Sequence, residues 1–117
     1  MNKPRLFETG STRDTEEGKL DFEGFLSPAV LIEFAKYMNE NRETGIGKRD
    51  SDNWQLGIPK EVYMKSMFRH FMGVWSEHRG IKTEEGIMKA LMGLIFNAMG
   101  YAFELLKEGD NDNTISK

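Results

Sequence analysis

Between Thr83 and Lys107 the chain offers a helix with almost no polar side. Ile87, Met88, Leu91, Met92, Leu94, Ile95, Phe96, Met99, Tyr101, Phe103, Leu105 and Leu106 occupy most of its circumference. Such a helix must be covered on several sides. Two partner helices from one small chain leave part of it open, so the pattern predicts a homo-oligomer, a dimer or a tetramer. One narrow strip departs from it: Gly86, Ala90, Gly93, Asn97 and Gly100 follow one another at steps of four, three, four and three. Each mid-helix glycine costs about 1 kcal/mol relative to alanine, and a close approach by another helix or by a ligand has to offset that. Asn97 adds a demand of its own, since a buried amide needs hydrogen-bond partners.

Two further helices are legible. Ser27 is a good N-cap and Pro28 suits the first helical position. Val30, Leu31, Phe34, Ala35 and Met38 then form a stripe, so a helix is expected over 28–42. The next runs over 60–79 and stops at Gly80. Its apolar face is Met67, Phe68, Phe71, Val74, Trp75 and His78, while Arg69, His70 and Glu77 stand on other sides with Gly73 between them. After a short turn, Thr83 should cap the third helix, over 83–107, with Glu84 and Glu85 at its positive end. Gly109 should end it, and a tail over 110–117 should be disordered. The expected fold is thus all-α: one domain over 1–109, made of three long helices and an extended arm over 1–26.

Length and charge narrow the function. The 117 residues suffice for one core without staples, and the absence of cysteine excludes disulfides and thiolate metal sites. With 16 basic and 19 acidic side chains the net charge is −3, which disfavours a nucleic-acid partner. No apolar run reaches the roughly 18 residues of a membrane span. The start, MNKPRLFETG, lacks the apolar segment of a signal peptide, so a cytoplasmic protein is expected. Eight methionines, mostly on helical segments, read as adaptable core packing.

The arm and the long loop hold the remaining candidates. Thr9-Gly10-Ser11-Thr12-Arg13-Asp14 and Gly18-Lys19 offer turn N–H groups and cations suited to phosphate oxygens. No helix follows Lys19 directly, so this is not a P-loop. Phe7, Leu20, Phe22, Phe25 and Leu26 predict that residues 5–25 pack on the helices. In the loop 45–59, Lys48-Arg49 followed by Asn53-Trp54 could hold a phosphate and stack a base. Trp54 could equally anchor the loop on the core.

Taken in order, FETGSTRD, EGKLDF, LSPAVL, KRDSDNWQLGIP, RHF with a following Trp, and FNAMGY resemble the phage dATP/dGTP diphosphohydrolase N-terminal family. That family is a branch of the all-α MazG-like nucleotide pyrophosphohydrolases. The resemblance spans about residues 5 to 107. It implies an oligomeric helical bundle that cleaves a deoxynucleoside triphosphate to the monophosphate and pyrophosphate, with helix-borne carboxylates holding Mg²⁺ or Mn²⁺. Arg13, Asp14, Lys19, Lys48, Asn53, Trp54, Arg69, His70 and Asn97 stand at the family's landmarks. Arg13, Lys19, Lys48, Asn53, Trp54, Arg69 and Asn97 are therefore the candidate nucleotide and phosphate ligands, with Arg13, Lys19 and Arg69 expected to converge near Asn97. Glu77 and His70 are the candidate catalytic side chains.

The acidic box departs from the family. MazG-like sites draw on an EExxE run and a later ExxD-like pair, and neither is intact. The second helix carries only Glu61 and Glu77, and the third has no carboxylate between Glu85 and Glu104, with Met88 and Lys89 in that stretch. Glu77, Glu84 and Glu85 remain as candidate metal ligands, with Glu33 and Asp21 behind them. Three readings stay open: an Mg²⁺-dependent nucleoside triphosphate diphosphohydrolase; a metal-free sponge that sequesters a signalling nucleotide in an infected host, as an anti-defence protein would; and a purely structural oligomer.

Overall fold

The computed structural model describes residues 4–15 and 17–112, and the fold is largely helical. A hairpin of β1 (Pro4–Leu6) and β2 (Thr12–Asp14) leads to a short helix α1 (Phe22–Phe25), then to α2 (Pro28–Glu40). A second hairpin, β3 (Glu43–Thr44) and β4 (Gly47–Lys48), and a 3-10 turn at Asn53–Leu56 precede α3 (Lys60–His78) and α4 (Ile87–Asp112). The first two long helices fall where the sequence places them. Ser27 Oγ accepts from the Val30 N–H at 3.3 Å, so the cap read from the sequence starts α2.

The core is the antiparallel α3–α4 pair, with α2 laid against α4. Its register is set by side chains entering glycine gaps. The Tyr63 ring lies over Gly100 and the His70 ring over Gly93, and a Cβ on Gly73 would meet the Ala90 methyl at 3.4 Å. A seven-residue step on α3 thus matches a seven-residue step on α4. Tyr63, Ala90 and Met92 are buried. The strip of small residues is therefore where α3 approaches closely.

Several expectations are corrected. The third helix begins at Ile87, not 83. Gly86 has φ +84°, outside the helical region, and the chain before it bends at residues 84–85. Thr83 therefore does not cap α4: its hydroxyl accepts from the N–H of Gly86, the residue before the helix, at 3.0 Å. Gly109 does not end α4, which continues to Asp112, so residues 110–112 of the expected tail are helical. Gly109 is absent from the positive-φ glycines and stays within the helix, beside a Lys60–Glu108 ion pair that ties the end of α4 to the start of α3. The rest of the expected tail, 113–117, lies outside the described residues.

The arm is also corrected. It forms a hairpin and α1, with Asp21 capping α1 through the Gly24 N–H at 2.9 Å, but it is not buried against the helices. Leu6, Phe22 and Phe25 remain 79%, 63% and 76% exposed. Strands of three residues give the arm no second layer of its own to pack on. The molecule measures 57 × 39 × 30 Å with a radius of gyration of 19.7 Å. A compact chain of this length would have about 13 Å.

Candidate functional site

A cleft of about 530 Å³ opens between α2, α3, α4 and the loop that follows β4. That is within the roughly 300–1,000 Å³ usual for small-molecule sites. Its aromatic walls are Phe34, Tyr37, Trp54 and Phe96; Asn39, Asn41, Asn53, Asn97, Ser66 and His70 supply polar groups. Arg42, Arg49 and Asp50 bring charge.

Each wall has a local cause. Trp54 stands in the 3-10 turn and meets Phe96 and Phe103 of α4 edge-on, with ring centroids 5.9 and 5.0 Å apart. It anchors the loop on α4 and lines the cleft as well. Asn97 is buried on the glycine strip, and its Nδ2 donates to the Gly93 carbonyl at 2.7 Å. That bond leaves its amide oxygen as an acceptor among the cleft-lining groups. His70 enters through the gap at Gly93, and its Nδ1 lies 3.7 Å from Glu85 Oε2. Ser66 precedes His70 by one helical turn and shares its face. Burial, and after it the Glu85 charge, pushes the Tyr37 hydroxyl pKa up.

Of the side chains singled out in the sequence, Asn53, Trp54, His70 and Asn97 come together here. Arg13, Lys19, Lys48 and Arg69 are exposed and do not line the cleft. Arg69 is rotated about 100° around α3 from His70. Arg13 sits on β2 and Lys19 in the exposed arm, so the expected convergence of Arg13, Lys19 and Arg69 on Asn97 does not occur within one chain. Arg42, Tyr37 and Ser66 were not singled out. The signal for Ser66 was its four-residue spacing from His70; for Arg42 it was position alone, at the end of α2.

Glu77 lies at the α3–α4 turn. Its Oε2 accepts from the Thr83 N–H at 2.7 Å and the Thr83 hydroxyl at 2.9 Å. These two bonds hold its carboxyl pKa below the usual value. Glu84 and Glu85 border a second, polar hollow with Tyr37, Glu40, Asn41 and Lys89, where Lys89 pairs with Glu40 at 3.2 Å. Among the described residues no three His, Asp or Glu side chains converge to hold a metal. Mg²⁺ is usually held by one or two carboxylates together with water and substrate phosphates; Glu84 and Glu85 share their hollow with Glu40, whereas Glu77 is engaged by Thr83 and does not line it.

No protein-family model matches this chain, and neither a curated protein nor a solved structure shows significant similarity to it. No helix among the described residues is long and apolar enough to cross a membrane.

Proposed function

We propose that this chain is a nucleotide-binding protein of the kind its sequence resembles, the MazG-like phage family, and that the cleft between α2, α3 and α4 is its site. The observation carrying this reading is the meeting of the Asn53–Trp54 pair with His70 and Asn97, both far from it in sequence, in one cleft with an aromatic wall. Aromatic rings suit a base, and the Asn97 and Asn53 amides can read its edge. In this reading the cleft, with Asp50 as the one carboxylate among its lining residues, holds a nucleotide without cleaving it, as a sponge for a signalling nucleotide would. Calorimetry with the eight common NTPs and dNTPs in EDTA, followed by product analysis, tests this. Binding that survives EDTA and returns intact nucleotide supports the sponge. Metal-dependent pyrophosphate release, lost in Glu77→Gln, would instead make the protein a diphosphohydrolase, with its metal site completed by assembly.

The same reading includes homo-oligomerisation. The helix that called for a partner in the sequence, α4, keeps Ile87, Met88, Ile95, Leu105 and Leu106 between 41% and 69% exposed. The outer face of α3 adds Phe68, Phe71, Met72 and Trp75 at 44% to 66%, a density of large apolar side chains that a lone chain would leave in water. A second copy is the occupant that the one-sided burial of α3 calls for.

A further inference from the structure

The base of the second hairpin carries two arginines, one just before β3 and one just after β4. One pair beyond the Glu43–Lys48 match, the Arg49 N–H donates to the Arg42 carbonyl at 2.8 Å, which sets Arg42 and Arg49 opposite each other. Like charges facing each other across an antiparallel pair destabilise it. Here both guanidinium groups are nevertheless fixed. Arg42 Nε donates to the Arg49 carbonyl at 2.8 Å, and its Nη1 to Asn39 Oδ1 at 3.4 Å. Arg49 Nη2 donates to the Asn41 carbonyl.

Every one of these acceptors is neutral. Among the described residues neither arginine forms an ion pair, whereas Lys36, Lys60, Lys89 and Lys107 each have a carboxylate partner. A guanidinium has five N–H donors, so each arginine keeps several after these bonds. Both side chains line the cleft, and Asp50 is the single carboxylate lining it with them. Two held, like-charged forks with spare donors beside an aromatic cleft are short of one thing, an anion between them.

Resting on the nucleotide reading above, we infer that Arg42 and Arg49 form a metal-free clamp for the phosphate end of the ligand. The clamp assigns the ligand class: a nucleoside di- or triphosphate bound as the free anion, not as its magnesium chelate. Mg²⁺ on the phosphates removes much of the charge that two guanidinium groups attract, so added metal should weaken binding. In a metal-bridged site it would strengthen it.

The test is calorimetry on the full chain in EDTA with three probes: inorganic pyrophosphate, a nucleoside (deoxyadenosine or deoxyguanosine), and dATP or dGTP. Wild type should bind pyrophosphate, and Arg42→Gln or Arg49→Gln should weaken it and the triphosphate by about 10- to 100-fold. Nucleoside binding should stay within about twofold, because the aromatic wall is untouched. Excess Mg²⁺ should lower triphosphate affinity. If an arginine variant fails to fold, Asp50→Asn keeps both guanidinium anchors and should raise triphosphate affinity several-fold. Unchanged triphosphate binding in both arginine variants, or no effect of Asp50→Asn where those do not fold, overturns the clamp and leaves the nucleotide reading standing. Pyrophosphate binding without any nucleotide preference does the reverse. A wild-type protein that binds none of the three probes ends both.

Discussion

The His70 ring occupies the space that a side chain on Gly93 would need: a Cβ built there would lie 2.5 Å from His70 Cε1. One turn pair along, a Cβ on Gly100 would lie 2.3 Å from the Tyr63 ring. Both glycines are therefore holes for α3 side chains, and the two cases differ in escape. The His70 side chain is 19% exposed and borders the cleft, while Tyr63 is 1% exposed. Gly100→Ala should destabilise the fold by about 2–3 kcal/mol, as overpacking does. Gly93→Ala should cost less in stability and more in nucleotide affinity, since His70 can yield only toward the cleft. Gly73→Ala meets Ala90 at ordinary contact distance and should be neutral or stabilising, by up to about 1 kcal/mol of helix propensity. Denaturant melts of the three variants check the order; equal losses at all three sites would refute the interlock.

Tyr63 carries a second consequence. Its hydroxyl is buried without a hydrogen-bond partner among the described residues, and burial, then Glu104, pushes its pKa up. An unpaired buried hydroxyl costs about 1–3 kcal/mol. Tyr63→Phe keeps the ring over Gly100 and removes that cost, so stability should rise by about 1 kcal/mol. A loss of stability in the same melt would mean that the hydroxyl has a partner in solution.

The fold was legible where a period or a cap could act. The N-cap at Ser27, the glycine stop after α3 and the close-packed strip on α4 all follow from residue type and spacing. Two-residue strands have no period, so the second hairpin was unreadable, and with it the fact that Lys48 and Arg49 belong to different faces. Arg49, just past β4, lines the cleft and Lys48 does not, although both were equally good cations in sequence. In the same way, nothing in the spacing says that the strip receives Tyr63 and His70 rather than a ligand. That depends on helix register, a property of two segments at once. Asn97 was readable as a buried amide, but its bond to the Gly93 carbonyl needed the structure.

Glu77 gives the turn between α3 and α4 a pH dependence. Its carboxyl pKa is lowered from 4.5, chiefly by the Thr83 N–H and then by the Thr83 hydroxyl. A group with a lowered folded-state pKa stabilises the fold above its unfolded value, and that stabilisation is lost as pH falls through the folded one. Stability should therefore decline as the pH drops below about 4.5. Thr83→Ala removes one of the two donors and should flatten that part of the curve, while Glu77→Gln should remove this contribution entirely. Melting temperatures from pH 7 down to pH 3 for the three proteins would show it, and superimposable profiles would rule out the Glu77–Thr83 staple as the source.

The outer face of α3 predicts the assembly state. Tyr63, His70, Gly73 and Glu77 mark one side of the helix, turned to α4 and the α3–α4 turn. At about 100° per residue, Phe68, Phe71, Met72 and Trp75 fall on nearly the opposite side. All four stay exposed on that outer stripe, Phe68 at 66%. Each such ring gains about 1.5–3 kcal/mol on full burial, so a second copy laid along the stripe has a large driving force before its costs of association. A charge placed in the stripe opposes that contact and leaves the Tyr63–Gly100 and His70–Gly93 packing alone. Light scattering at micromolar concentration should give wild type a multiple of 13.5 kDa. Phe68→Asp with Phe71→Asp should shift it toward the single-chain mass while helical circular dichroism persists. A wild-type protein that is monodisperse at the single-chain mass would show that the stripe has no second copy to cover it.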